Sequence, residues 1–333
     1  MQFEPKHFAP LSAGGIKLDE TGTVAYQAGP APEDTYVYTP RAILALNVAI
    51  ATNRPLLVSG EPGSGKSTLA KNAAAILRRW YYKETITSRT RASDLLWTFD
   101  ALRRLNDAIT PDPNHPLLDK RCYVDPGTLW WAFDPASAHY RGTEVEIPED
   151  QRPRDKGEQP GGGGDGRAVV LLDEIDKADP DVPNDLLEPF DIKSFTVRET
   201  NDKITAKRAV LLILTTNGER ELPPAFLRRC LTFTLDPPDE AWFVRIANQR
   251  YGEKDASLHT AVAAKVMELR QAAARAGLRE PSTGEYLDAL QVCRDLGINP
   301  DSPDSQAWVW TNIAESVLWK HARVPQATAE LDK

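Results

Sequence analysis

Gly60-Glu61-Pro62-Gly63-Ser64-Gly65-Lys66-Ser67, followed by Thr68, sets glycine, lysine and hydroxyl at the spacing G, four residues, G-K-[S/T]. In that order the glycines let backbone N–H groups turn inward around phosphate oxygens, and the helix that follows adds the positive end of its dipole. Lys66 is placed to neutralise the β and γ phosphates of a nucleotide such as ATP, and the Ser67 hydroxyl to hold Mg²⁺. Asp173-Glu174 closes the apolar run Ala168-Val169-Val170-Leu171-Leu172. A carboxylate at the end of a buried strand is where Mg²⁺ needs an acidic partner, and a second one beside it can orient or deprotonate a water. Asp173 is therefore read as the metal partner and Glu174 as the base. Thr215-Thr216-Asn217 ends another apolar strand, which puts Asn217 on the same sheet edge, in reach of the attacking water or the γ-phosphate. A short helix over 223–229 ends in Arg228-Arg229. Such a pair can act as an arginine finger on the nucleotide of a neighbouring subunit, or simply complement its own helix dipole.

These residues need elements to hold them. Ala42, Leu44, Ala45, Val48 and Ala49 recur at helical spacing, 55–59 reads as a short buried strand, and 69–80 returns to a helical period. A strand is expected over 82–87 and one amphipathic helix over 91–107, carried by Leu95, Leu96, Phe99, Leu102 and Leu105. The rhythm then lapses over 108–167, rich in Pro and Gly and ending in the flexible run Gly161–Gly164. Uninterrupted apolar strands over 168–172 and 210–214 suit a parallel sheet buried on both faces. Between them 194–206 reads as a hairpin around Thr200-Asn201-Asp202-Lys203, and 231–235 is the last strand expected. Beyond 238 only helical patterns remain, at about 239–251, 258–277, 283–296 and 304–321. The division expected is an irregular N-terminal arm (1–35), an α/β core with a parallel sheet (36–237) and a small all-helical domain (238–333).

Composition narrows the classes. Apolar residues make up 41% of the 333, enough for a core of roughly two domains, and no apolar run approaches the roughly 18 residues of a spanning helix. Lys and Arg number 40 against 48 Asp and Glu, a net charge of 40 − 48 = −8, which disfavours a general nucleic-acid-binding surface. Three scattered cysteines and an opening Met1–His7 without a basic-then-apolar leader fit a reducing cytoplasm, with no membrane association. The aromatic stretch 123–133 reads as a core or interface plug. His115 and His139 lack metal-ligand companions, and Arg89, Arg91, Arg103 and Arg104 read as a solvated or subunit-facing cluster.

With Gly60 to Ser67, Leu171-Leu172-Asp173-Glu174-Ile175-Asp176-Lys177-Ala178, Thr216-Asn217 and Leu222-Pro223-Pro224-Ala225-Phe226-Leu227-Arg228-Arg229 in order, the chain resembles an AAA+ ATPase, and within that class the MoxR family. The resemblance covers about 36–320. It implies a three-layer P-loop NTPase core, a helical lid, and Mg-dependent ATP hydrolysis in an oligomeric, often hexameric, ring with ATP at subunit interfaces. It also implies an insertion in the second core helix, here within 101–167, and a hairpin before the sensor-1 strand, here 194–206. Family members are thought to remodel protein partners, frequently ones with a von Willebrand factor A domain. Two alternative roles share the core: a DNA-acting motor of a restriction or defence complex, and a nucleotide-dependent scaffold with negligible hydrolysis. Matching Leu227-Arg228-Arg229-Cys230 to the family's L-D-R-F makes Arg229 the finger, with Arg228 where an acid is usual. In the lid, Gly284 stands where many relatives carry a sensor-2 arginine, with Arg279 and Arg294 the nearby replacements.

Overall fold

The computed structural model describes residues 4–31, 34–109, 119–142, 152–159, 164, 166–298 and 307–318. In chain order the strands are β1 (Ile16–Lys17), β2 (Val24–Gln27), β3 (Thr35–Tyr38), β4 (Leu56–Ser59), β5 (Trp80–Thr85), β6 (Trp97–Phe99), β7 (Val124–Pro126), β8 (Ala168–Asp173), β9 (Ser194–Val197), β10 (Asp202–Thr205), β11 (Val210–Thr216) and β12 (Leu231–Thr234). The helices are α1 (Pro40–Thr52), α2 (Lys66–Leu77), α3 (Ala92–Leu96), α4 (Ala101–Ile109), α5 (Thr128–Phe133), α6 (Pro135–His139), α7 (Asp181–Asp185), α8 (Leu187–Ile192), α9 (Pro224–Arg229), α10 (Glu240–Tyr251), α11 (Ala256–Arg275), α12 (Thr283–Leu296) and α13 (Ala307–Ile313).

Five parallel strands form the central sheet in the order β12-β4-β11-β8-β5. Because strand side chains alternate between faces, Leu56, Val58, Val169, Leu171, Leu211 and Ile213 pack into one cluster with α1 and α2. Leu57, Val170, Leu172, Leu212 and Leu214 point the other way, into a second cluster with α5 and α8. That is the three-layer P-loop core, and it accounts for the unbroken apolar runs. Among the described residues the chain beyond 238 is helical; Phe243, Val262, Val266, Tyr286 and Leu290 fill a separate lid core.

Three expectations need correction. The expected helix over 91–107 is broken: α3 stops at Leu96, β6 pairs with β7, and α4 begins afresh at Ala101. Trp97 is the cause. Its ring stacks on Phe195 of β9 at 5.7 Å with 7° between planes, and its Nε1–H donates to Glu199 Oε2 at 2.7 Å, so tertiary packing overrides a continuous helical period. Leu102 and Leu105 of α4, part of the apolar stripe that carried the expected helix, are 69% and 55% exposed, and Ile109 beyond them is 66% exposed.

The N-terminal segment is not irregular. β1, β2 and β3 form an antiparallel sheet, and Phe8 is fully buried, with Asn47 of α1 donating to the Phe8 carbonyl and accepting from the His7 and Phe8 amides. Strands as short as these lack the length that would reveal them by alternation. The strand expected over 82–87 lies at 80–85, shifted by its register with β8.

The hairpin forms as expected, β9 pairing with β10 from Ser194↔Thr205 to Val197↔Asp202. Within the aromatic stretch, Tyr123, Trp130, Trp131 and Phe133 are buried core. Arg89 and Arg91 line a groove with Asp179, Asp181, Asp185 and Glu188, so the basic cluster is no continuous cationic track. His115 and the glycines at 161–163 fall outside the described residues, as do positions 110–118 that follow α4. No described helix is long and apolar enough to cross a membrane, and the three cysteines are free.

His259 of α11 is fully buried in the lid, with Nδ1 2.7 Å from Asn248 Oδ1 and Nε2 without a partner. Burial pushes its pKa below the ordinary value, opposed by Asp255 and reinforced by Arg294. Folded His259 thus titrates below unfolded His, and the stability it permits is present above about pH 6.5 and is lost as pH falls through the lowered folded value. Thermal unfolding followed between pH 7.5 and 5 should show wild type losing stability on acidification more steeply than His259→Gln, by at most about 1.4 kcal/mol per pH unit. Parallel curves would contradict this assignment.

Candidate functional site

The loop between β4 and α2 is built on left-handed glycines. Gly63 has φ +74° and Gly65, which caps α2, has φ +92°, conformations that L side chains rarely adopt. The N-terminal turn of α2 therefore opens directly onto the loop. Lys66 is buried and donates from Nζ to the carbonyls of Gly60 and Glu61, both at 2.8 Å. Burial lowers its pKa, with Asp173, Asp176, Glu174 and Glu61 pulling the other way. Ser64 Oγ is buried without a partner. Glu61 faces the lid, Pro62 is exposed at the loop tip, and Thr68 is exposed on the first turn of α2.

Ser67 Oγ donates to Asp173, 2.7 Å from Oδ1 and 2.9 Å from Oδ2. Asp173 Oδ1 also accepts from Thr215 Oγ1 at 2.6 Å, and Lys83 Nζ lies 3.3 Å from Oδ2. Thr215 Oγ1 in turn accepts from the Glu174 amide at 2.8 Å. Glu174 has φ +62°, a strained conformation for a residue with a side chain, of the kind that persists where neighbouring contacts hold it in place. Its carboxylate accepts from Lys177 Nζ at 2.8 Å and from Asn217 Nδ2 at 3.3 Å. Asn217 is itself fixed by its amide, which donates to Asp176 Oδ2 at 3.2 Å. Five residues singled out in sequence, Lys66, Ser67, Asp173, Glu174 and Asn217, are thus in one place with the glycines of the loop.

Arg228 and Arg229 lie apart from this cluster, at the end of α9. Arg229 pairs with Asp191 of α8 and donates to the Ala225 carbonyl at 3.1 Å. Arg228 is exposed, while Arg54 donates to the carbonyls of both arginines and of Cys230. The pair therefore projects from a braced backbone but does not meet the loop of its own chain.

A cavity of about 200 Å³ adjoins the loop at Ser64. Tyr36 and Val37 of β3, Leu235, Pro238, Trp242 of α10 and Thr283 of α12 line it, a mostly apolar slot joining arm, core and lid. Apart from Ser64, its residues were not among those the sequence singled out. The one local signal was the aromatic alternation Thr35-Tyr36-Val37-Tyr38 immediately before α1, since the other walls come from elements 200 residues away.

Does this constellation fit a metal-bound nucleotide? The donor set is right for a hard cation: a serine hydroxyl and a carboxylate in mutual contact. The loop turns at glycines, and at Gly60 a Cβ would meet Ser64 Oγ and Leu235 Cβ at 3.2 Å, so backbone alone fits there. Ser67 and Asp173 are the residues that would hold Mg²⁺. Fold and site together define a P-loop NTPase of the AAA+ type. A family model described as the AAA domain, dynein-related subfamily, matches residues 55–230, more than half of the 333-residue chain, and the chain belongs to that family. Among solved structures, a RuvB variant from Thermotoga maritima is 14% identical, covering 83% of this chain and 68% of its own at a TM-score of 0.44. A second RuvB variant from the same organism is 14% identical, covering 83% and 67% at a TM-score of 0.41. No curated protein matches the chain.

Because burial depresses Lys66 and a polyphosphate at the loop would raise it again, binding is coupled to proton uptake. The affinity for a nucleotide should therefore decline as pH rises from neutral toward the ordinary lysine range. Lys66→Arg, whose guanidinium stays charged, should bind more weakly but with a flatter profile in calorimetric titrations. An equally steep profile in Lys66→Arg would show that another group carries the protons.

Proposed function

We propose that the chain is a Mg²⁺-dependent ATPase of the MoxR type, working as a ring oligomer, a hexamer in the first instance, that uses the hydrolytic cycle to remodel protein partners. The observation that carries the hydrolytic reading is the shared position of Glu174 and Asn217, 3.3 Å apart, beside the Ser67 to Asp173 contact. Support for the MoxR type comes from the insertion within 101–167, whose β7 pairs with β6, and from the hairpin β9-β10 ahead of β11, packed together through Trp130, Phe133 and Phe195. The net charge of −8 favours a protein partner over a nucleic-acid track. A partner with a von Willebrand factor A domain follows from the family resemblance, and a cytoplasmic location from the three scattered cysteines.

Bound at Ser67 and Asp173, the metal would screen phosphate charge. The chain's own residues do the rest. Lys66 trades its two loop carbonyls for phosphate oxygens, and the backbone N–H groups around Gly63 and Gly65 hold the remaining ones. Glu174 accepts a proton from the attacking water at its carboxylate, while the Asn217 amide fixes the orientation of that carboxylate. Lys177, donating to the other Glu174 oxygen at 2.8 Å, fixes the carboxylate from its second side. The cavity at Tyr36 and Trp242 takes the base of the nucleotide. Arg229 supplies charge to the γ-phosphate of the adjoining subunit. Its pair with Asp191 is half-exposed, at 38% and 43%, and such a pair contributes at most about 1 kcal/mol; it orients the guanidinium without holding it against a triphosphate.

Lys66→Ala should abolish nucleotide binding, whereas Glu174→Gln should bind ATP and fail to cleave it, read by calorimetry and by phosphate release. Wild-type hydrolysis in Glu174→Gln would refute the base assignment. Arg229→Ala should retain ATP binding and lose about 10³-fold or more in rate, or ~4 kcal/mol of barrier. Mixing Arg229→Ala with Lys66→Ala protein should restore part of the activity in mixed rings. If mixing restores nothing, the finger is Arg228 or the site is complete within one chain. Stimulation of hydrolysis by duplex DNA would overturn the protein-remodelling reading.

A further inference from the structure

Arg270 lies in the middle of α11, yet its side chain is only 5% exposed, because it reaches out of the lid to the phosphate loop. Its Nη1 and Nη2 donate to Glu61 Oε2 and Oε1 at 3.1 and 3.2 Å, a two-pronged contact between segments 209 residues apart. Nη2 also lies 2.7 Å from Glu280 Oε2, and Nη1 donates to the Pro281 carbonyl at 2.5 Å. A second contact stands beside it. The Gly284 amide, in the first turn of α12, donates to the Gly63 carbonyl at 3.2 Å. At Gly63 an added Cβ would fall 2.5 Å from Ser282 Oγ, so the start of α12 rests directly on the loop backbone. Three further lid arginines are engaged elsewhere: Arg245 with Asp19 at 3.4 Å, Arg279 with Glu285 at 2.9 Å, inside the α12 cap, and Arg294 with Asp255 at 3.2 Å.

We propose that Arg270, through Glu61, is the positioning residue that holds the lid on the phosphate loop, so that lid closure is set by a carboxylate of the loop itself and not by the γ-phosphate. The proposal rests on the reading that this loop binds nucleotide. A guanidinium gripping a carboxylate with both nitrogens has a fixed geometry and loses strength steeply when either partner is neutralised. With Glu280 as a second carboxylate on the same cation, the Arg270 charge is more than offset without any phosphate, so an added γ-phosphate gains little from it. Gly284 is where a side chain would otherwise probe that phosphate, and the room around its Cβ, with the nearest atoms 3.8 and 3.9 Å away, shows that its backbone contact and not crowding defines the position. The lid then docks equally for ATP and ADP and discriminates weakly between them.

The test uses the full chain, with ATP and ADP titrated calorimetrically and amide hydrogen exchange followed at 282–286 in nucleotide-free protein. Wild type should bind ATP and ADP within a few-fold of each other. Arg270→Gln and Glu61→Gln should each lose exchange protection at 282–286 without nucleotide, and should weaken ATP and ADP together, by about ten-fold or more. The double variant should be no worse than the weaker single, since both changes break one contact. Arg270→Lys should recover part of the protection, and Lys265→Gln, on the exposed side of the same helix, should match wild type. A selective loss of ATP over ADP in Arg270→Gln would make Arg270 a γ-phosphate contact and overturn the proposal; so would additive losses in the double variant, or protection unchanged in Arg270→Gln. Failure of wild type to bind either nucleotide would instead overturn the function proposed above, while the exchange measurement still decides whether the contact holds the lid.

Discussion

The carboxylate of Asp173 is the point on which the rest of the core depends. It sits at the C-terminal end of β8, buried, and accepts hydrogen bonds from α2 through Ser67 and from β11 through Thr215, with Lys83 of β5 close by. A buried carboxylate is costly unless it is hydrogen-bonded and paired. Here the strands that flank β8 in the sheet supply what it needs, and so does the helix that follows the loop. The strand order β4-β11-β8-β5 is therefore more than packing. It brings a hydroxyl, a second hydroxyl and an ammonium to one acid, and in doing so fixes the loop, β8 and the strands beside it relative to one another. Thr215 extends the fixation by one residue, since the same oxygen that donates to Asp173 accepts from the Glu174 amide. The left-handed turn at Glu174 is thus held by the neighbour of the residue it follows.

The lid depends on a different contact of the same type. Core and lid have separate hydrophobic clusters, so a burial argument alone would leave them as two loosely joined bodies. What joins them at the loop is polar: Glu61 to Arg270, and Gly63 to Gly284. Polar contacts of this kind depend on charge and geometry more than apolar ones do, and they sit where the bound phosphates must also sit. The capping box of Ser282 and Glu285 at the start of α12, with Arg279 on the same carboxylate, keeps that helix end rigid. A rigid helix end converts a small shift of the loop into a displacement of the whole lid.

Which parts of this were legible in the sequence follows from where the constraints act. Gly60 to Ser67 and Ala168 to Glu174 each carry their constraint locally, in glycine φ angles and in an apolar run that has only one way to be buried, and both fell where expected. Asn217 was legible because a parallel strand must end on the same edge. The break at Trp97 was not, because the helical period through Leu95, Leu96, Phe99, Leu102 and Leu105 is satisfied by a stripe that the fold leaves exposed over α4. Phe195, the partner that stops the helix, is 98 positions away (195 − 97). The arm escaped for a related reason: β1 has two residues and β2 four, too short for alternation to show, and the burial of Phe8 depends on Asn47. Arg270 gave no local sign at all, since a single arginine in an alanine-rich helix reads as a solvated charge until its partner in the loop is known.

The hairpin β9-β10 is bracketed in the chain by the two strands that end in the chemistry, β8 with Asp173 and Glu174 and β11 with Thr215 and Asn217. Its tip residues carry no part of the site, but Phe195 takes three aromatic neighbours, Trp97, Trp130 and Phe133. Asp202 meanwhile holds Arg121 of the insertion at 2.8 Å through two nitrogens. Any rearrangement that shifts β8 against β11 must therefore carry the hairpin with it, and the hairpin is packed too tightly against the insertion to move alone, because close-packed interiors transmit displacement and do not absorb it. The strand ends at Asp173 and Asn217 and the segment that presents α4 to solvent are in this way parts of one packed unit, anchored at one end by hydrogen bonds to Asp173 and at the other by the aromatic cluster around Phe195.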